Sequence, residues 1–319
     1  MVSAPGCRMS DELAAECDHV DDKRMKTSRR SFVRNAVLGL GAIAFLERHP
    51  LVAQAQRSLS AGQSRMKLGT VTYNLAKDWN IETIIKNCTE AKFQGVELRT
   101  THAHGVEVTL SKQERAEVKQ RFADSPVLLW SLGSAFDFHT PDQSKLRKDI
   151  EATKEYIVLA HDVGATGVKV RPNGLPKEVP VEKTLEQIGK SLQELGKFAT
   201  GYNQQIRLEV HGTGTSQLPH IRKIIDIADH PLVGVCWNSN QTDLDGAGFD
   251  ANFDLVKHKI LTVHLRDLFL EEYPFRHLFT RLNEINFTGF AFAEIPESAD
   301  PVRVMKYFRA LWLAYQGLL

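Results

Sequence analysis

A chain of 319 residues with 42% hydrophobic side chains is long enough to bury a large core, and one α/β barrel takes about 250 residues. Its 40 basic and 39 acidic side chains nearly cancel, which removes the electrostatic footprint that nucleic acid or an anionic membrane surface would require. Of its four cysteines, Cys7 and Cys17 lie near the N-terminus while Cys88 and Cys236 stand far apart, so there is no disulfide framework and no CxxC zinc motif.

The first 65 residues read differently from the rest. Ser28-Arg29-Arg30-Ser31-Phe32-Val33-Arg34 leads into an apolar run from Ala36 to Leu46 and then into Ala53-Gln54-Ala55. That order is a charged region, a short hydrophobic region and a small-residue cleavage site. The paired arginines followed by Ser and Phe resemble a twin-arginine export signal. The expectation is therefore that 1–65 is an export signal and linker, with the signal over about 28–55, cleavage near Ala55 and Met25 as a second candidate start. The partner implied is the twin-arginine export machinery, and the location is periplasmic or otherwise exported. The eleven apolar residues from Ala36 to Leu46 fall short of the roughly 20 a membrane span needs, so no span is expected in the mature form.

From Lys67 onward, short β-branched runs alternate with amphipathic stretches, the pattern of βα units on a parallel sheet. Strands are predicted over 67–74, 95–100, 127–133, 167–173, 206–212, 233–240, 260–267 and 289–296. Helical spacing of apolar residues fills the intervals, as in Ile81, Ile84, Ile85 and Cys88, or Leu185, Ile188, Leu192 and Leu195. Asn80 and Ser111 stand where N-caps belong, and a last helix over about 301–315 would close the ring. Eight strands predict a single-domain (β/α)₈ TIM barrel over 66–319. An open doubly wound sheet is the alternative, but no GxGxxG or GxxxxGK[ST] follows any strand.

Side chains alternate along a strand, and barrel active sites lie at the C-terminal strand ends. This period puts Glu97 with Arg99, Lys169 with Arg171, Glu209 with His211, Asn238 with Asn240, and His264 with Arg266 on one face, with Glu294 ending the eighth strand. The intervening Val96, Leu98, Val168, Val170, Leu208, Val210, Val263 and Leu265 suit the helix side. So many ionisable groups facing one mouth would be costly to bury without a ligand or metal. Loop histidines His102, His104 and His139 and the aromatic Trp130, Phe136 and Trp237 are weaker candidates for the same mouth.

The motifs Leu208-Glu209-Val210-His211, Val235-Cys236-Trp237-Asn238, Val263-His264-Leu265-Arg266-Asp267 and Ala293-Glu294-Ile295-Pro296 resemble the xylose-isomerase-like TIM-barrel superfamily of sugar isomerases and epimerases, over about Lys67 to Gly317. The resemblance implies a divalent metal (Mn, Mg, Co or Zn) on Glu209, Asn238, His264 and Glu294. Asn238 stands where Asp is usual, and Gln241 where a substrate-facing His often follows, so a charged ligand is missing and the metal itself can be absent. It further implies sugar isomerisation or epimerisation by proton removal alpha to a carbonyl, with Glu209 and Glu294 as base and acid. His211, Arg266, Glu97, Lys169, Arg171 and Asn240 are the expected substrate-binding group. Export favours a free or modified sugar over a phosphorylated one. Two alternatives stay open: cleavage of a 3-keto-glycoside by β-elimination in the same site, and a non-catalytic sugar-binding barrel.

Overall fold

In the computed structural model, which describes residues 64–319, the strands come out in order: β1 (Lys67–Val71), β2 (Gly95–Arg99), β3 (Leu128–Asp137), β4 (Gly167–Arg171), β5 (Gln205–Glu209), β6 (Val233–Asn238), β7 (Ile260–Leu265) and β8 (Phe290–Ala293). Each pairs in parallel with the next, and β8 pairs back onto β1, so the sheet closes as a barrel. The helices between them are α1 (Ile81–Ala91), α2 (Lys112–Ala123), α3 (Gln143–Asp162), α4 (Val181–Thr200), α5 (Leu218–Ala228), α6 (Phe249–Val256), α7 (Phe275–Glu284) and α8 (Pro301–Tyr315). This is the (β/α)₈ architecture expected. The expected export signal over about 28–55 and its expected cleavage site lie outside the described residues. No helix among the described residues is long and apolar enough to cross a membrane.

Local signals account for the helix starts. The Asn80 side chain accepts from Thr83 N at 2.9 Å, and Ser111 closes a capping box with Glu114. Each such cap satisfies an orphan N–H and stabilises by about 1 kcal/mol. The barrel's outer core lies between sheet and helices. There Val96, Leu98, Val168, Val170, Leu208, Val210, Val263 and Leu265 are all buried, as the alternation requires.

The barrel interior is filled in layers. Toward the N-terminal end Phe290 packs on Trp130 at 4.9 Å between ring centroids, with Phe292 and then Val71 of the same cluster reaching up toward the mouth, and a Cβ on Gly69 would fall 2.5 Å from the Phe292 ring. Trp130 is thus a plug at the bottom, away from the mouth. One step above sits Arg207, fully buried, its guanidinium 5.4 Å from the Trp130 ring centroid and donating to Thr166 Oγ1 and Gln205 Oε1 at 2.7 Å. Burial pushes its pKa down to about 10, still charged at neutral pH.

Most strands stop two to three residues before the sequence pattern does. β5 ends at Glu209 where 212 was expected, and β8 at Ala293 where 296 was expected. Side-chain alternation persists beyond the last ladder bond, so it marks direction but not pairing. β3 goes the other way and extends to Asp137, which pairs with Arg171 across an irregular register.

Candidate functional site

A cavity of about 490 Å³ opens at the C-terminal ends of the strands, a size suited to a small polar ligand. Glu209, Asn238 and Glu294 contribute to its wall and Arg99, Arg171, His211 and Arg266 also line it. His264 is fully buried beneath. Its Nδ1 lies 3.5 Å from Glu209 Oε1 and 3.5 Å from Glu294 Oε2, and its Nε2 lies 3.3 Å from Glu97 Oε1. Neither ring nitrogen has a partner at hydrogen-bond geometry.

Glu209, His264 and Glu294 each offer a ligand atom, all within 4.8 Å of one another. Two carboxylates and an imidazole with orphaned nitrogens fit a divalent cation of the hard to borderline class. Asn238 stands beside them, with Nδ2 donating to Glu209 Oε1 at 3.3 Å. Its nitrogen, rather than the oxygen a metal would need, faces the carboxylate, and a half-turn of the amide exchanges the two. The other Glu209 oxygen is held by Lys169, whose Nζ donates to Oε2 at 2.7 Å with both side chains buried.

These contacts set the charges. Burial opposes ionisation of Glu209, but the Lys169 ammonium and the His264 imidazole outweigh it and hold its carboxyl well below the usual range. Burial likewise works against a charged His264, and the adjoining Cys236 and Glu97 raise its pKa well above an ordinary histidine's. Glu97 is buried too, yet His264 and Lys169 keep its carboxyl below the usual value. Glycine at 133 makes its position available, since a Cβ there would lie 2.9 Å from Glu97 Oε1.

The structure sorts the expected site residues by depth. Glu209, Asn238, His264 and Glu294 converge. His211, Arg171 and Arg266 reach the cavity wall with Lys169, although the Lys169 ammonium is committed to Glu209. Glu97 does not reach the cavity: it lies under it against His264, so the expected contact with substrate gives way to a supporting position. Asn240 touches the cavity, but its side chain donates to Val210 O at 2.5 Å and its backbone N to Asp243 Oδ2 at 3.1 Å, which spends it on the turn after β6. Asp267, the last residue of the β7 motif but without an expected role, and Tyr73, which is not among the expected site residues, both line the cavity as well. Arg99, legible only as the face-mate of Glu97, stacks over Tyr73 at 5.6 Å.

The weaker candidates are mostly structural. His104 Nε2 contacts Arg99 O at 2.7 Å and its Nδ1 accepts from Val106 N at 3.0 Å, and His139 lies 3.2 Å from Asp137. Trp237 is buried behind the sheet and donates to Tyr273 OH at 3.0 Å, which donates to Asp243 Oδ2 at 2.6 Å. Burial raises the Asp243 carboxyl to about 8 despite the bonds from Tyr273 and Asn240.

A family model described as xylose isomerase-like TIM barrel matches residues 85–311. The chain belongs to that family. Solved barrels superpose on it at low identity. The IolI protein with a bound zinc atom has a TM-score of 0.67 at 17% identity, covering 79% of this chain and 98% of its own. For 3-keto-D-glucoside 4-epimerase YcjR from E. coli the TM-score is 0.66 at 17% identity, covering 78% and 99%. L-ribulose 3-epimerase gives 0.68 at 15% identity, covering 79% and 95%. Identity this low establishes the shared barrel. No curated protein sequence matches the chain.

Proposed function

We propose that this member of the xylose isomerase-like family is an isomerase or epimerase of a free or modified sugar, removing a proton alpha to a carbonyl. The observation that carries the reading is the convergence of Glu209, His264 and Glu294 within 4.8 Å at the foot of a polar cavity. Those three, with Asn238 after its amide turns, are the residues that would hold a divalent ion. Such an ion supplies Lewis-acid polarisation of the carbonyl oxygen.

The chain's own residues supply the rest. Lys169 holds one oxygen of Glu209 in a buried pair, which keeps that carboxylate ionised and fixed in orientation as a base. Glu294 faces the cavity with a side chain 22% exposed, open enough to exchange a proton with a ligand and buried enough to be positioned. The two carboxylates come from separate strands, Glu209 at the end of β5 and Glu294 just beyond β8, and an epimerisation needs an acid and a base on opposite faces of one carbon. Half-buried His211, whose pKa burial lowers, is a neutral donor and acceptor suited to sugar hydroxyls. Neighbouring barrels whose names state sugar epimerases, and one with bound zinc, support the same reading. We also propose that the barrel is exported through the twin-arginine route, on the strength of Arg29-Arg30 and the apolar run behind them.

The test is solvent exchange. Incubation in deuterated water with ketoses, aldoses and 3-keto-glycosides is expected to wash deuterium in beside the carbonyl in a metal-dependent manner. Glu294→Gln is expected to lose about 10²-fold or more of that rate. A panel member that binds tightly without exchange makes the barrel a binding protein, and exchange with release of an aglycone makes it an eliminating enzyme.

A further inference from the structure

We infer that the substrate carries an anionic oxygen group, a carboxylate or a phosphate, which Arg99, Arg171 and Arg266 recognise. This rests on the reading of the cavity as a sugar-carbonyl site and specifies the class of sugar. The three arginines follow from three different strands, β2, β4 and β7, and line one cavity. Each donates to a main-chain carbonyl, and Arg99 and Arg266 also lie over the rings of Tyr73 and Tyr273 at 5.6 and 5.9 Å. Arg99 Nη1 donates to Thr100 O at 3.0 Å, Arg171 Nη2 to Ala135 O at 3.2 Å, and Arg266 Nε to Ser239 O at 2.6 Å. Among the described residues no carboxylate oxygen lies within 4.0 Å of any of the three. Arg115 and Arg281 on the helix layer do find one, Asp162 at 2.9 Å and Asp254 at 2.6 Å, and the buried Arg207, which does not, spends its guanidinium on Thr166, Gln205 and the Trp130 carbonyl instead.

The unpaired state is most telling where the nitrogens are dry. Arg171 Nε and Arg266 Nη2 are buried without a hydrogen-bond partner, an uncommon and costly state for a charged donor, and both belong to side chains that line the cavity. The cavity's own acids do not serve. Glu209 is taken by Lys169 and Glu294 faces His264, while Asp267 lines the cavity beyond ion-pair distance of the arginines. Sugar hydroxyls bond one N–H at a time and leave the charge uncompensated. A carboxylate or phosphate meets a guanidinium fork with two parallel bonds and cancels the charge as well. Stacking of Arg99 on Tyr73 and the carbonyl anchors preset the forks, so little freedom is lost on binding.

Calorimetric titration of the purified full chain at low salt with D-glucuronate, D-glucose 6-phosphate and D-glucose tests the inference. At least one anion is expected to bind about tenfold or more tighter than glucose, the scale of a charged hydrogen bond, and which one does so identifies carboxylate or phosphate. The preference is expected to shrink with added salt, and to fall toward one in Arg171→Gln and Arg266→Gln, each checked for folding by thermal unfolding. Equal affinity for all three ligands overturns it, whatever the variants do, and so does a preference that survives both folded variants. Deuterium exchange on the same panel separates the two readings. A neutral sugar that exchanges and binds as well as the anions refutes the anionic group and leaves the isomerase standing. An anion that binds preferentially while no panel member exchanges leaves the recognition standing and removes the isomerase.

Discussion

Replacing Glu97 with glutamine removes one negative charge from beneath the cavity while keeping the side chain's size. Glu97 is fully buried, and its Oε1 is 3.3 Å from His264 Nε2, the ring nitrogen turned away from Glu209 and Glu294. A carboxylate behind a ligating histidine fixes the tautomer and ring orientation and raises ligand basicity. Losing such a partner costs about 10- to 100-fold in metal affinity, or about 1.4 to 2.8 kcal/mol. Glutamine also leaves the buried Arg207 and Lys169 less compensated, because both are drawn to the Glu97 charge. Stability in chelator therefore has to be measured separately from affinity. The assay is calorimetric titration of chelator-stripped protein with Mn²⁺ and Zn²⁺, and the expected result is a Kd raised by about tenfold or more. Gly133→Ala approaches the same contact from behind, since the new Cβ would press on Glu97 Oε1 at 2.9 Å, and a smaller loss in the same direction is expected. A folded Glu97→Gln protein with unchanged Kd would refute the reasoning and reduce Glu97 to a buried ion-pair member.

Three further outcomes are expected. His264→Ala should lose both stoichiometric metal and the metal-dependent rise in Tm, because an ion bound only by the folded state stabilises it by mass action, whereas Asn238→Asp should bind metal more tightly by restoring a charged ligand; metal analysis and thermal scans read both. Burial lifts the Asp243 carboxyl to about 8, above the ~3.9 of an unfolded Asp, so between those values the folded state keeps a proton the unfolded chain has released and stability falls as pH rises. Asp243→Asn, which mimics the protonated acid beside Tyr273, Asn240 and Arg266, should flatten the decline of Tm from about pH 6 to 8, and parallel profiles for the two proteins would contradict it. Arg29→Lys with Arg30→Lys should leave soluble barrel in the cytoplasm, read by fractionation, because a receptor reads the arginine pair; unchanged export would remove the twin-arginine assignment.

The period of two along each strand, by itself, separates Glu209 and His211 from Leu208 and Val210, and it does so before any strand has a neighbour. Eight such runs with helical stretches between them determine the barrel, and with it the end where the polar faces gather. Asn80 and Ser111 cap their helices for reasons contained within four residues. What a single strand cannot encode is height along the barrel axis, which depends on the register of each strand against the next. Tertiary structure alone puts Glu97 and His264 beneath the cavity while Arg99 and Arg266, two residues on, reach its wall. It alone joins Lys169 to Glu209 across the β4–β5 pairing, draws Asn240 away to Val210 O, and gives Trp237, which the alternation already turns outward, its partner Tyr273. Alternation says which way a side chain points, but the partner it meets comes from another strand, and the closed sheet decides which one.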